Sequence, residues 1–226
     1  MPPLRFLCLH GGGTNADIFR AQIGTLMSQL TEDQVVETYF SEGTVDSPPG
    51  PGIEGFFEGP YFLWYNWPPR VGSEVDSISI TDAYHALYEV VEDEGPFDGV
   101  LGFSQGGSLA HAFQVQHLIH HPLKEPLFRC AIYLNSPMPL FVDDDGSVVY
   151  DMSVVGSPLK VPSLHVVSER DPNYEHCTRL CDCYDPAYAS VIRHAYGHAI
   201  PKDTRTVTVV GKEIRELAQR ILFHSE

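Results

Sequence analysis

The chain has 226 residues, 43% of them hydrophobic, which fits one globular domain with a sizeable core. Its formal net charge of −16 argues against nucleic acid or an anionic membrane as a partner, because both would repel it. No apolar run approaches the length of a membrane span, the first residues lack the layout of a signal peptide, and five cysteines are an odd number for a disulfide framework, so we expect a cytoplasmic protein.

A predicted buried strand and a glycine-rich loop open the chain. Residues 4–9 form an apolar run broken only by Arg5, which is typical of a central parallel strand buried on both faces. The loop at residues 10–15 contains three consecutive glycines and matches neither glycine-rich nucleotide-binding pattern. Together with the serine motif further along the chain, it is interpreted as the source of an oxyanion-stabilising N–H, that of Gly12, with Gly13 as the alternative.

A long segment rich in proline, glycine and aromatic residues follows the second predicted strand, residues 35–40. This segment, residues 41–73, has no periodicity, and its aromatic density argues against disorder. We expect a lid or pocket wall that faces the substrate; the alternative is a small aromatic core beneath a long loop. The residues expected to bind substrate are Gly13 in the preceding loop and Phe56, Phe57, Tyr61, Phe62 and Trp64 in this segment.

The stretch at residues 102–106 reads Gly-Phe-Ser-Gln-Gly and carries the strongest functional signal. An apolar strand precedes it, after a predicted helix at residues 81–92, and a helical pattern follows to about residue 120. A serine on such a strand-to-helix turn matches the G-x-S-x-G nucleophile elbow, a pattern that is weak without this context. We therefore expect Ser104 to be a nucleophile and the backbone N–H of Gln105 to face the oxyanion.

A candidate for the acidic member of a catalytic triad follows a later predicted strand. Residues 130–135 and 163–168 are apolar and predict two further strands of the sheet. Asp171 comes directly after the second of these, and its Asp-Pro dipeptide places a short, stiff carboxylate at the strand end. Glu169 and Asp185 are the competing acids. All three acids fit the order Ser, acid, His in which serine hydrolases of this architecture carry the triad. Asp171 is preferred because of this placement, whereas Glu169 would have to fold back.

A histidine late in the chain completes this order. Residues 185–194 predict a short helix, residues 196–201 a loop, and residues 214–223 a closing amphipathic helix. His198 lies in that loop and is the expected general base. His194 is its nearest rival, but its place at the end of the predicted helix favours surface exposure.

The alternation of strands and helices predicts a single α/β domain over residues 1–226, with a mostly parallel central sheet and helices on both faces. In such a domain Ser104 would attack a carbonyl, His198 would take and return the proton, and Asp171 would hold the imidazole tautomer. This chemistry acts on esters and thioesters and needs neither a metal nor a cofactor. The aromatic block suggests a medium or long acyl group.

Four stretches together resemble the fungal serine hydrolase (FSH) family of α/β-hydrolases, and the similarity runs through nearly the whole chain. They are residues 6–15, the aromatic block at residues 56–67, residues 102–107, and Gly197-His198 with Pro201. Tyr196 departs from the family pattern, because many relatives carry a second glycine there. Within the family, the sequence is most similar to esterases and thioesterases of fungal polyketide gene clusters.

The resemblance implies an α/β-hydrolase fold and a polyketide acyl substrate, released from the acyl carrier protein domain of a polyketide synthase. Two alternatives remain open from the residues alone. One is a general carboxylesterase for short oxygen esters with no carrier partner. The other is an α/β-hydrolase fold that serves as a ligand receptor and does not turn over.

Overall fold

The computed structural model describes residues 2–139, 141–142, 145–149 and 156–223 of the chain. The strands of this part, numbered in chain order, are β1 (Leu4–Leu9), β2 (Val36–Ser41), β3 (Val45–Asp46), β4 (Phe62–Leu63), β5 (Gly99–Phe103), β6 (Cys130–Leu134), β7 (Phe141–Val142), β8 (Val148–Val149), β9 (Ser163–Ser168) and β10 (Ala189–His194). The helices are α1 (Ala16–Glu32), α2 (Glu74–Glu94), α3 (Gln105–His120), α4 (Tyr174–Cys181) and α5 (Thr204–Phe223). None of these described helices is both long and apolar enough to cross a membrane.

Six strands form one parallel sheet in the order β10-β9-β6-β5-β1-β2. Parallel neighbours need crossover connections, and α1, α2, α3 and α4 lie within them. Because all six strands run in the same direction, their carboxyl ends meet at one edge of the sheet. The loops that follow β1, β5, β9 and β10 therefore gather at this edge, where α/β proteins bind their ligands.

Helices cover both faces of the sheet and form two hydrophobic layers. Leu7 and Leu9 of β1 pack in the layer that includes α2 and α3, whereas Phe6 and Cys8 pack in the layer that includes α1 and α5. Successive side chains of a strand point to opposite faces, so a strand buried on both sides reads as a continuous apolar run. The predicted mostly parallel sheet with helices on both faces is confirmed.

The predicted helix at residues 185–194 is wrong. Its second half is β10, which pairs in parallel with β9 at the edge of the sheet. The adjacent β-branched residues Val191 and Ile192 suit a pleated strand, and exposure alternates from Val191 to His194 as an edge strand requires. Pairing with β9 therefore outweighs the helical propensity of this short segment.

Two predicted helices are longer than their apolar patterns indicate, because polar caps precede those patterns. The side-chain oxygen of Ser73 accepts a 3.3 Å hydrogen bond from the N–H of Asp76 and starts α2. Asp203 starts α5, where its Oδ1 accepts a 2.9 Å hydrogen bond from the N–H of Thr206. This hydrogen bond holds the pKa of the Asp203 carboxyl below its usual value.

A buried polar cluster joins α3 to the middle of the sheet. The Tyr184 hydroxyl lies 2.6 Å from the Tyr133 hydroxyl and 3.1 Å from Nδ1 of His111. The ring of His165 packs against both tyrosines. Burial lowers the pKa of His111 and that of His165 to about 3, so both imidazoles are neutral near pH 7 and contribute packing and hydrogen bonds rather than charge.

Candidate active site

Ser104 occupies the tight turn between β5 and α3, at the carboxyl edge of the sheet. Its backbone angles are φ 52° and ψ −121°, a conformation that side-chain-bearing residues seldom adopt. Its N–H donates a 3.0 Å hydrogen bond to the Leu134 carbonyl of the neighbouring strand β6. Strain of this kind persists only where the surroundings hold it, and it is typical of functional sites.

The glycines on either side of this turn are required by close backbone packing. A Cβ on Gly102 would overlap the backbone of Gly107 across the turn. A Cβ on Gly106 would overlap the carbonyl oxygens of Leu9 and His10 and would lie 2.6 Å from the Leu9 carbonyl carbon. The start of α3 is therefore pressed against the end of β1, which brings the glycine-rich loop next to Ser104.

The structure brings together the three residues predicted to form a triad. Nε2 of His198 lies 2.9 Å from Oγ of Ser104, and its Nδ1 lies 2.6 Å from Oδ2 of Asp171. The Asp171 side chain is fully buried, and its Oδ1 accepts a 2.8 Å hydrogen bond from the Asn173 N–H. A buried carboxylate that is held in this way can fix both the orientation and the tautomer of the imidazole.

The residues that compete with Asp171 and His198 for the roles of acid and base contact other groups. Glu169 faces Arg193, with 3.9 Å between Oε1 and Nε, and Asp185 accepts a hydrogen bond from the Ala187 N–H. His194 is the last residue of β10, is buried, and accepts at Nδ1 from the N–H of Tyr196. The expected surface exposure of His194 is therefore wrong.

Two polar side chains that sequence reasoning missed hold the loops that carry His198 and Asp171. Oγ of Ser168 accepts hydrogen bonds from the N–H groups of Arg170 at 3.2 Å and Gly197 at 3.0 Å, and so ties the two loops together. Asn135 donates from Nδ2 to the carbonyl of Ala199 at 2.8 Å. Asn135 directly follows the buried strand β6, and Ser168 ends the buried strand β9. A polar residue at the carboxyl end of a buried strand was the sequence signal that could have identified both.

Two backbone N–H groups near Ser104 are the candidates for an oxyanion site. Gln105 begins α3, where the first N–H groups lack helical partners. Of the two loop candidates, Gly13 already donates its N–H to the Phe62 carbonyl at 2.9 Å. No acceptor within the described ranges takes the N–H of Gly12. The geometry therefore favours Gly12 over Gly13.

His10 holds the glycine-rich loop from inside the protein. Its ring is fully buried, and Nε2 accepts a 2.9 Å hydrogen bond from the Gly43 N–H. Nδ1 must then carry the proton, which it donates to the Gly11 carbonyl at 2.8 Å. The imidazole thus links the loop beside Ser104 to the start of the long aromatic segment.

The side chain of Gln105 fastens that segment to the turn. Its Oε1 accepts from the N–H of Trp64 at 3.1 Å, and its Nε2 donates to the Tyr65 carbonyl at 2.9 Å. Gln105→Ala keeps the backbone N–H but removes both bonds, so we expect a loss of about 1–3 kcal/mol in the free energy of unfolding. We also expect kcat/KM to fall by about tenfold as the segment around Trp64 and Tyr65 loosens, since misplaced groups lower the rate.

Urea unfolding and ester hydrolysis check this prediction, with Gln116→Ala as the matched control. Gln116 lies on the same helix and bonds only to the exposed side chain of His120 within the described part of the chain. The control should leave both quantities nearly unchanged. Equal effects of the two substitutions would show that the Gln105 side chain does not hold the segment around Trp64 and Tyr65.

A cavity of about 860 Å³ opens beside Ser104 and His198. The glycine-rich loop forms one side of its lining, and residues 47–53 with Phe56 and Phe57 form the adjoining wall. A 2.8 Å hydrogen bond from the Gly50 N–H to the Gly13 carbonyl joins the two sides. Gly13, Phe56 and Phe57, three of the residues expected to bind substrate, line this cavity.

The other three aromatic residues predicted to bind substrate do not line this cavity. The Tyr61 hydroxyl donates to the Phe57 carbonyl, Phe62 pairs with the backbone of Thr14, and Trp64 is 3% exposed and donates from Nε1 to the His10 carbonyl. Of the three, Trp64 belongs to the hydrophobic layer that includes α2 and α3, whereas Tyr61 and Phe62 are half-buried.

Leu63 and Trp67, neither of them predicted, line the cavity instead. Alternate side chains of an extended chain point in opposite directions. Leu63 therefore faces the cavity, while its neighbours Phe62 and Trp64 face away from it.

Comparisons with known proteins point to one family. A family model described as serine hydrolase (FSH1) matches residues 1–210. Hydrolase phiM of Talaromyces stipitatus is 38% identical over 229 residues, which cover 99% of this chain and 91% of the relative. Esterase FPY3 of Fusarium mangiferae is 33% identical over 225 residues, which cover 97% of this chain and 99% of the relative. The resemblance noted from the sequence motifs is confirmed.

Solved structures show the same fold at lower identity. Acyl-protein thioesterase 2 of Zea mays matches with a TM-score of 0.58 and 18% identity, over 96% of this chain and 95% of that structure. Arabidopsis thaliana SOBER1 matches with a TM-score of 0.60 and 16% identity, over 95% of this chain and 99% of that structure. The α/β-hydrolase fold predicted from the sequence is thereby confirmed.

Proposed function

This chain belongs to the serine hydrolase (FSH1) family, and on that premise we propose that Ser104, His198 and Asp171 form its catalytic triad. The observation that carries the proposal is the continuous contact from hydroxyl to imidazole to carboxylate, at 2.9 Å and 2.6 Å. A nucleophile, a base within hydrogen-bond reach and a group that orients the base are the parts that covalent catalysis by serine requires.

The reaction follows from these positions. Oγ of Ser104 attacks the carbonyl carbon of the substrate while Nε2 of His198 takes its proton, and Asp171 stabilises the imidazolium that forms. The negative charge that develops on the carbonyl oxygen is met by the N–H groups of Gly12 and Gln105. His198 then gives the proton to the departing alcohol or thiol, which leaves an acyl-enzyme. Water, deprotonated by the same imidazole, releases the acid and restores the hydroxyl of Ser104.

We propose an ester or thioester of a medium or long acyl group as the substrate. The cavity beside Ser104 has room for such a chain, and apolar or glycine residues make up most of its lining. The finer assignment, a polyketide thioester on an acyl carrier protein, is supported by the resemblance of the motifs to esterases and thioesterases of polyketide clusters. A general carboxylesterase is the second candidate, and it should prefer short oxygen esters over long acyl thioesters.

Covalent labelling with a fluorophosphonate, read by intact mass and peptide mapping, tests the nucleophile. We expect one label per chain on Ser104, lost in Ser104→Ala. Ser28→Ala, an exposed position on α1, is the matched control and should label like the wild type. Absence of labelling in a folded sample would contradict the proposal and favour the ligand-receptor alternative. Hydrolysis rates on thioesters of increasing acyl length, compared with short oxygen esters, then separate the two enzyme candidates.

A further inference from the structure

The charge around the cavity differs from that of the chain as a whole. The chain carries 30 acidic residues against 14 lysines and arginines. Even so, the cavity beside Ser104 is lined by one lysine, Lys202, and by no aspartate or glutamate of the described part of the chain. Its other polar groups, besides Ser104 and His198, are neutral hydroxyls and amides, such as those of Gln22 and Asn173.

Lys202 has a fixed origin close to the reacting groups. It lies four residues after His198 in the same loop, and the residues between them are anchored. The Ala199 carbonyl accepts the hydrogen bond from Asn135, and the Ile200 side chain is buried in the core. Lys202 itself is exposed and lines the cavity from this anchored stretch of backbone.

The acidic residues that could neutralise Lys202 are engaged elsewhere. Asp203, its chain neighbour, caps α5 through the Thr206 N–H. Asp171 is bound to His198, and Glu169 faces Arg193. Among the described residues, no carboxylate oxygen lies within 4 Å of the Lys202 ammonium group, which leaves that charge available to a ligand.

We propose that Lys202 binds an anionic group of the substrate, so that the preferred substrate is an ester or thioester with a second, negatively charged group. This inference rests on the proposed hydrolase function and adds the charge of the substrate to it. In a chain of net charge −16, an anionic substrate is repelled in general. A cavity to which the described residues contribute one lysine and no carboxylate is the place where it can be held.

The anionic group has two chemical sources. It is either a carboxylate on the acyl side or a phosphate on the leaving-group side, as in a phosphopantetheine thioester. Two matched substrate pairs distinguish these sources. The first pair is p-nitrophenyl hexanoate and the mono-p-nitrophenyl ester of adipate. The second pair is hexanoyl-pantetheine and hexanoyl-phosphopantetheine.

Steady-state kinetics of Lys202→Gln and Lys202→Arg on these pairs test the inference. For the charged member of one pair, we expect Lys202→Gln to raise KM by about fivefold with little change in kcat, which corresponds to an ion pair at a partly exposed site. The KM for the neutral member should stay unchanged, and Lys202→Arg should retain the wild-type preference. The pair that responds identifies the acyl-side or the leaving-group anion.

Lys160→Gln is the matched control, because it removes the same charge from an exposed position. Lys160 precedes β9 and so lies near the amino end of this strand, whereas the cavity lies at the carboxyl ends of the strands. It should not change the preference. If Lys202→Gln leaves the ratio of KM values unchanged in both pairs while p-nitrophenyl hexanoate is still hydrolysed, the inference is wrong and the proposed function stands. If the wild type hydrolyses none of the four substrates, the proposed function fails and the inference falls with it.

Discussion

Replacement of His198 by alanine is expected to lower kcat by about four to six orders of magnitude while the chain stays folded. The imidazole is the one group of the described part of the chain that contacts both Oγ of Ser104 and the buried Asp171 carboxylate. Without it the hydroxyl has no base to take its proton. Asp171→Asn should lower kcat by about four orders of magnitude, because an amide favours the wrong imidazole tautomer. Single-turnover hydrolysis of p-nitrophenyl hexanoate measures both losses.

His85→Ala is the control for this prediction, since His85 lies exposed on α2 and should be replaceable without effect. His194→Gln tests the rival histidine, which should matter far less for kcat because its Nδ1 bonds to the Tyr196 backbone rather than to Ser104. A loss below tenfold in a folded His198→Ala protein would contradict the triad. A loss in His194→Gln as large as in His198→Ala would instead assign the base to His194.

Gly106→Ala is expected to destabilise the protein by about 3 kcal/mol, although alanine is the better helix former. The added methyl group would overlap the carbonyl oxygens of Leu9 and His10, which belong to the backbone at the end of β1. Backbone on this central strand cannot rotate aside as a side chain would. The start of α3 must therefore shift away from the glycine-rich loop, and activity should fall together with stability.

Urea unfolding checks this prediction, with Gly24→Ala as the control. Gly24 also lies in a helix, α1, but a Cβ there would have no neighbour within 4 Å. The same substitution should therefore stabilise the protein by up to about 1 kcal/mol. Opposite signs at the two positions would identify close packing at the elbow as the cause. A stabilised Gly106→Ala protein would show that the turn accommodates a Cβ at this position without overlap.

The sequence was most informative where one local pattern sufficed. Buried parallel strands give continuous apolar runs, and the elbow reads as strand, serine and helix within a short stretch. The place of Asp171 at a strand end and that of His198 in a late loop selected the acid and the histidine that the structure connects to Ser104. These inferences needed no knowledge of how distant segments pack.

Predictions failed where tertiary contacts decide the outcome. The edge strand β10 owes its conformation to its pairing with β9, which no local pattern records. Which aromatic side chains face the cavity depends on how residues 61–65 are fastened to Gln105 and Thr14, and one step along an extended chain reverses the direction. The supports of the His198 loop, Asn135 and Ser168, likewise act across strands that are far apart in the sequence.

The bracing of the glycine-rich loop by the cavity wall also bears on how such an enzyme can diverge. Gly50 of the wall and Phe62 of β4 bond to the two backbone groups of Gly13, next to the proposed oxyanion donor. Mutations at these anchors would change acyl selection and turnover together, so selection would act against most of them. Phe56 of the same wall is 82% exposed and is bonded to neither backbone group of Gly13. New substrate preferences can therefore arise at positions such as Phe56 while the machinery for bond cleavage is inherited unchanged.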